Sequence, residues 1–483
     1  MTTSHRSPEH DNRSVFFYWI LSGAALLCCA LILAAGSTAF EYELAVADRP
    51  IFLFVAGYML AGAVFLALAW LVLPRSQALP DARTLLIVMI VLGLAMRAVF
   101  FGSVPVQEND FYRYLWDGAL TAHGINPWAY SPQAILDGNV ADPTITQLKA
   151  QAGSVLERIN YGDLRSIYPA VSQAAFALAY MVKPFSLDAW RGVLLLLELV
   201  TLGLILTLLS SLNRPLIWAT VYWWNPIVIK EVMNSAHMEP VLLVPLLGAL
   251  VLCVKARPLA ASGVAALAVA AKLWPVLVLP AIWRGLLQRP GKLAAAVAVT
   301  GLLILALYWP IITTRLDPSS GFIAFTTDWE RISASFLIIS AAANLVPQGL
   351  IEAGSLSRLM AGAAIAAIVL LSNRKPAAAP ADTVHRFLIA ATAMLLFSPV
   401  QLPWYFIWIA PFLCVFPYRG LLLITLTFPL YYAFFKLTAT GVDEAWMLAL
   451  LWTMWLPVWL TLGYDWWNAK RQTQHPHGAE KAT

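Results

Sequence analysis

The sequence predicts an all-α fold, a polytopic transmembrane helical bundle of roughly 12–14 spans with a large extracytoplasmic first loop. Three observations carry that expectation. Of 483 residues, 60% are hydrophobic and only 12% charged, whereas a soluble domain carries about 25% charged residues. Mean hydropathy is +0.73. Apolar runs recur along the chain at about 20 residues, the length that a helix rising about 1.5 Å per residue needs to cross the hydrocarbon core. One large soluble core is a poor alternative, because such cores stop growing at about 250–300 residues.

The elements follow in order. Residues 1–14 are polar, and the first apolar run has no small-residue cleavage site after it, so they read as a retained cytoplasmic tail. Apolar runs at 15–36, 51–73 and 84–101 make an N-terminal membrane part, 15–101. A polar, proline-bearing stretch, 102–166, then leaves the membrane and carries an interfacial helix. Runs at 167–183, 190–210, 238–255, 293–313, 356–372, 385–400, 404–417, 420–436 and 446–463 form the main bundle, 167–463. It is interrupted by an outer loop at 314–333 and followed by a cytoplasmic tail, 464–483. Residues 258–284 read as a hairpin of two short helices. The stretches 216–229 and 334–350 suit re-entrant or interfacial helices. No strong internal repeat is visible, which weakens a transporter reading.

Basic residues set the orientation, since Lys and Arg mark cytoplasmic loops. Arg75, Arg83, Lys255, Arg257, Arg284, Arg289, Lys292, Arg374, Lys375, Arg419, Lys470 and Arg471 all fall inside if both termini are cytoplasmic. The same choice places 102–166, 314–333 and 437–445 outside. The net charge of +5 is thereby accounted for without nucleic acid. Cys28, Cys29, Cys253 and Cys414 sit in apolar segments and are expected to pack without disulfides or metal.

Function is expected where so apolar a chain carries charge. The stretch QENDFYRYLWDGALTAHGINPWAYSP, 107–132, follows directly on an apolar span. Asp110 reads as the N-cap of a short helix and Gly124 as the residue just past its end. Rings at 111, 112, 114 and 116 suit a helix at the membrane interface. Arg113 and Asp117 are four apart and suit a pair. A capping aspartate on an interfacial helix would explain most of this, and so would a functional acid. Arg97 lies near the outer end of its span, Lys230, Glu231, Asn234, His237 and Glu239 interrupt an apolar region, and Lys272 sits inside another. Ionisable groups at membrane depth cost at least ~2.5–3.5 kcal/mol each, so they face the interior or snorkel to the interface. Positions 230, 234 and 237 share one helical face, which suits a phosphate or sugar, although a lone histidine is more often a satisfied core residue. Glu198, alone in VLLLLELV, reads as half of a structural pair. His237 and Glu239 fit no standard metal spacing. No cofactor is required, and a divalent cation is left open. In the loop 317–333, Asp328, Trp329 and Arg331 suit either sugar stacking or anchoring at the interface.

The run NDFYRYLWDGALTAHGINPWAYSP resembles the first large extracytoplasmic loop of the glycosyltransferase C superfamily. In particular it resembles the bacterial polyprenyl-phosphate-mannose-dependent mannosyltransferases of glycosyltransferase family 87. SIYPAVSQ (166–173) is similar to that family's tyrosine-proline entry to the next span, and WWNPIVIKEVMNSAHMEP (223–240) to its asparagine-proline, glutamate and histidine segment. AAKLWPVLVLP (270–280) and SPVQLPWYFIWIAPF (398–412) are similar to its lysine-proline helix pair and its late proline-tryptophan-tyrosine helix. The resemblance implies an inverting hexosyltransferase in the cytoplasmic (inner) membrane. It would move a sugar, mannose by resemblance, from a polyprenyl phosphate to a lipid or glycan acceptor outside. Asp110 matches the family's general base, with Glu108 beside it. For this chemistry the donor phosphate and sugar candidates are Arg97, Arg113, Lys230, His237 and Lys272. Supporting positions are Tyr112, Asp117, Asn126, Tyr168, Asn225, Glu231, Asn234, Glu239, Trp404 and Tyr405. The expected partners are the lipid-linked sugar, the acceptor and membrane lipids. A transporter or flippase of lipid-linked sugars would use the same charges without a base, and a scaffold would need neither.

Overall fold

The computed structural model describes residues 8–76, 82–330, 332–347 and 351–474. Residues 1–7, Arg331 and 475–483 lie outside the described residues, as do the side chains of Lys470 and Arg471. Helices supply the architecture, and no β-strand occurs among the described residues. Seven helices are long and apolar enough to cross a membrane: Ser14–Phe40, Ile51–Ser76, Leu187–Ser211, Pro290–Ile312, Ala353–Ser372, Arg419–Ala439 and Glu444–Asn468. Five shorter apolar helices accompany them: Ala170–Val182, Glu239–Val254, Pro258–Val269, Trp274–Leu286 and Ala334–Ala343. The chain is thus an all-α multi-pass membrane protein. Its outward faces carry large apolar side chains such as Phe17, Leu53, Leu71 and Leu302. In lipid that is the favourable arrangement, since helices satisfy their own backbone groups there.

Fewer long helices form than the apolar runs suggest, and at 404–417 proline is the reason. Within 404–417 the chain makes a tight 3₁₀ turn, Pro403–Trp408, and then the short helix Ala410–Leu413. Pro403 and Pro411 offer no N–H to a continuous ladder. The segment 216–229 is likewise broken into pieces, with Asn225 accepting from the N–H groups of Ile227 and Val228 to start Pro226–Ile229. A π turn, Lys230–Asn234, follows. Every residue from 219 to 243 is buried, so this segment lies in the centre of the bundle and not at an interface. Irregular backbone survives at membrane depth only in such protein surroundings.

The loop 102–166 folds on its own small core, in which Trp116, Leu120, Ile135, Ile145 and Leu148 pack together. Its first helix, Phe111–Ala122, ends before Gly124, whose φ of +71° is the left-handed conformation that closes a helix. Phe111, Tyr114 and Trp116 are buried. They do not anchor the helix at a membrane interface as expected. They hold it against Ala170–Val182, where a Cβ on Gly118 would come within 2.5 Å of the Phe176 carbonyl oxygen. Without a side chain at 118 the two backbones can approach that closely.

Arg97 and Glu198 form the clearest buried ion pair. Both are fully buried, with Nη2 2.6 Å and Nε 3.0 Å from the same carboxylate oxygen. The guanidinium also donates to the carbonyls of Gly93 (3.1 Å) and Trp223 (2.8 Å), and it lies 3.4 Å from the Trp223 ring centroid. Tyr222 donates to the other Glu198 oxygen. Glu198 is the structural half-pair expected, whereas Arg97 has its donors committed to holding three helices together. Glu198→Ala would leave a buried arginine uncompensated at a cost of about 3–5 kcal/mol, while a matched apolar pair is often tolerated. The expected outcome is a lowered thermal midpoint and yield of Glu198→Ala in detergent, with most of the loss recovered by Arg97→Met/Glu198→Leu.

Candidate active site

Asp110 occupies the N-cap position of Phe111–Ala122 but does not cap it. Its φ of −57° and ψ of −29° are helical, and its side chain accepts no capping hydrogen bond. Capping needs an extended backbone there, so the carboxylate is left free. The turn before it is fixed from outside, because Gln107 has a φ of 61° and accepts a 2.6 Å hydrogen bond from Arg49 Nη1. Asp110 then lines a cavity of about 430 Å³, to which 31% of its side chain is exposed. Burial and the Glu239 charge raise its pKa from 3.8 to about 6, against the pull of Lys272, Arg113 and Asn160.

The cavity gathers segments from most of the chain. Arg113 and Tyr114 come from the helix that Asp110 precedes, Asn160, Tyr161 and Arg165 from the rest of the loop 102–166, and Tyr168 from the stretch just after it. Glu239 stands in the first turn of Glu239–Val254, and Lys272 lies in the break between Pro258–Val269 and Trp274–Val278. The proline-broken turn supplies Trp404, Tyr405 and Trp408. Phe322, Phe325 and Trp329 come from the loop 314–333, with Ile365 and Met394 completing an extended apolar wall. The helix breaks at 270–273 and 403–409 bring Lys272, Trp404, Tyr405 and Trp408 to the same space as the acids Asp110 and Glu239.

Lys272 Nζ lies 2.7 Å from Glu239 Oε1, which also accepts from Trp408 Nε1 at 3.3 Å. Arg113 donates to the carbonyls of Asn160 (3.2 Å) and Tyr161 (3.1 Å). It makes no hydrogen-bonded pair with Asp117, which instead accepts from Ser166 Oγ and Gln173 Nε2. Asp117 is buried beneath the helix, and burial raises its carboxyl pKa despite those donors.

Of the expected residues, Asp110, Arg113, Tyr168, Glu239, Lys272, Trp329, Trp404 and Tyr405 line this cavity. The others do not. His237 is fully buried behind it, stacked on Trp404 at 3.8 Å. Its Nδ1 is 4.0 Å from Asp110 Oδ2, and its Nε2 is 3.6 Å from Glu231 and 3.9 Å from Glu108. Glu108 is also enclosed, and burial holds its carboxyl well above the usual range. Lys230 and Glu231 form a knot with Ser235, Tyr58 and Tyr432. Asn234 clamps the chain at 103–106 through Ser103, Val104 and Val106. Asn225 is a helix cap, Asn126 accepts from the Trp128 N–H, and Tyr112 accepts from Arg158. Lys230, Glu231, Asn234, Asn225, Asn126 and Tyr112 are thus engaged with neighbouring segments, whereas both ring nitrogens of His237 and Oε1 of Glu108 are buried without a hydrogen-bond partner. Among the described residues, no group of three or more His, Cys, Asp or Glu is arranged to hold a metal ion.

Tyr114, Asn160 and Arg165 were not anticipated. Arg165 pairs with Asp317 at 3.0 Å and forms an isolated β-bridge with Ser320, so it joins the loops 102–166 and 314–333. Nothing in a loop sequence marks such a contact across 152 positions. The arrangement as a whole can deprotonate a hydroxyl beside an anion held by Lys272 and Arg113.

Residues 21–288 match the family model of the alpha-(1->6)-mannopyranosyltransferase, N-terminal domain. The match covers more than half of the chain and includes Asp110, Arg113, Glu239 and Lys272, but stops short of Trp404. No curated protein and no solved structure matches.

The junction of these two loops is sterically tight, since a Cβ on Gly321 would lie 2.4 Å from the Arg165 carbonyl oxygen. Gly321→Ala should therefore destabilise the protein by about 1–3 kcal/mol, the usual cost of overpacking. The check is a lowered thermal midpoint for Gly321→Ala beside an unlowered one for Gly301→Ala, which has open space around it.

Proposed function

The chain belongs to the MptA_B family of alpha-(1->6)-mannopyranosyltransferases, and on that premise we propose that it transfers mannose from a polyprenyl phosphate to a hydroxyl of a lipid or glycan acceptor. In this reading both termini are cytoplasmic, the loops 102–166 and 314–333 are extracytoplasmic, and the membrane is the cytoplasmic (inner) one. Asp110 takes the proton of the acceptor hydroxyl. The oxygen attacks the anomeric carbon, and the carbon–oxygen bond to phosphate breaks with its electron pair leaving on the lipid phosphate. Lys272 and Arg113 stabilise the charge that grows there. One displacement inverts the anomeric carbon, so a β-linked donor gives an α-linked product. The apolar wall of Leu277, Phe322, Phe325, Ile365 and Met394 suits an isoprenoid chain.

The observation that supports this reading best is the Asp110 carboxylate, free of capping and facing a cavity with Lys272 and Arg113. With a pKa of about 6 it is mostly ionised at neutral pH and still basic enough to accept a proton. Catalytic bases work best near that balance. His237 does not reach the cavity and so is not assigned to the donor.

Two measurements test the base. Asp110→Asn should lower mannosyl transfer by ~10²–10⁴-fold while the purified protein still binds donor. Transfer by that variant at the wild-type rate would remove Asp110 as base, and donor movement without transfer by the wild type would favour a transporter. The base must be deprotonated, so kcat/KM should rise with pH through about 6 and level off above it. The residual activity of Asp110→Asn should lack that limb.

A further inference from the structure

We propose that Glu239 is a resident counter-ion that competes with phosphate for Lys272 and so sets how readily the lipid phosphate product leaves. This rests on the reading that an isoprenyl phosphate enters the cavity. The two halves of the Lys272–Glu239 pair are held very differently. Glu239 is 1% exposed and lies in the first turn of a sixteen-residue helix, where the helix dipole favours negative charge. Trp408 Nε1 donates to the same oxygen that Lys272 contacts. The carboxylate thus keeps an indole donor and a favourable helix end if the ammonium departs.

Lys272 is the movable partner. It sits in the break between two helices, 24% of its side chain is exposed, and its ammonium lies 4.9 Å from each of the Tyr405 and Trp408 rings. A flexible four-carbon stem carries its charge. The donor's phosphodiester carries the same single charge as a carboxylate, and the monophosphate product carries more, about −1.5 to −2 at neutral pH, so the ammonium is drawn outward most strongly as the leaving phosphate forms. When transfer is complete, Glu239 offers Lys272 its resting partner again. Arg113 differs, because its donors rest on two backbone carbonyls, which carry no net charge to set against phosphate. Without Glu239, the cavity would keep its cations and hold the spent lipid phosphate longer. Product release limits many enzymes, so such a counter-ion would lower affinity in exchange for turnover.

The test uses the full-length purified protein and a short isoprenyl monophosphate, with an isoprenyl alcohol of the same length as control. Glu239→Gln removes the charge and keeps an oxygen for Trp408. It should bind the monophosphate about tenfold or more tightly, the scale of one hydrogen bond to a charged group. The donor KM should fall, and kcat should fall with it. Glu239→Asp, which draws the same charge back by one methylene, should tighten binding to an intermediate degree and serves if the glutamine variant fails to fold. Unchanged or weaker monophosphate binding in the variants overturns the proposal, as does an equal gain in affinity for the alcohol. Lys272→Met separates the two readings. If wild type and Lys272→Met both bind monophosphate no better than alcohol, the phosphate-donor reading itself falls. If only the Glu239 variants fail to tighten, that reading stands and the counter-ion role does not.

Discussion

A charge that cannot reach water must be met by another charge or by a dense set of hydrogen bonds, and this bundle is arranged around that requirement. Arg97 meets Glu198, Lys230 meets Glu231, and Lys272 meets Glu239. Tyrosine hydroxyls and backbone carbonyls fill the remaining positions around the first two pairs. Those two pairs are sealed, whereas the third borders the cavity. Asp110 stands apart from this system. It has no ion pair shorter than 4.0 Å among the described contacts, and burial together with the Glu239 charge makes its ionisation costly.

The site owes its shape to interruptions of the helices. A continuous span presents one face of side chains and leaves no room between neighbours. Where proline ends the ladder at 403, the 3₁₀ turn directs Trp404, Tyr405 and Trp408 at one space. Where the chain breaks at 270–273, Lys272 reaches the same space. The π turn at 230–234 leads into the buried segment that carries His237 and then Glu239. Each interruption is affordable only because protein surrounds it.

Much of this was legible in the sequence, and the limits have physical causes. Composition and run length fixed the class, and a resemblance in motif order pointed to Asp110, Arg113, Glu239, Lys272 and Trp404. The same reasoning over-read Arg97, Lys230 and Asn234, because a buried polar residue looks alike in sequence whether it serves a ligand or a neighbouring helix. Glu198, lone among leucines, was the signal that Arg97 had a partner elsewhere. The rings of Phe111 and Tyr114 suit a membrane interface by sequence and are buried in the fold, since a pattern of aromatics does not say whether another helix will cover them. Arg165 was invisible for a different reason. Its contacts with Asp317 and Ser320 depend on the path of two loops, and no local pattern encodes that path.

The walls of the cavity come from positions as far apart as 110 and 408. A growing chain therefore lays down the acid early and the tryptophan-rich turn late, after most of the bundle has entered the bilayer. Until Pro403–Trp408 arrives, Glu239 lacks its indole donor and His237 lacks the ring it rests on. Without that turn, Asp110 and Lys272 would stand without the aromatic part of their enclosure.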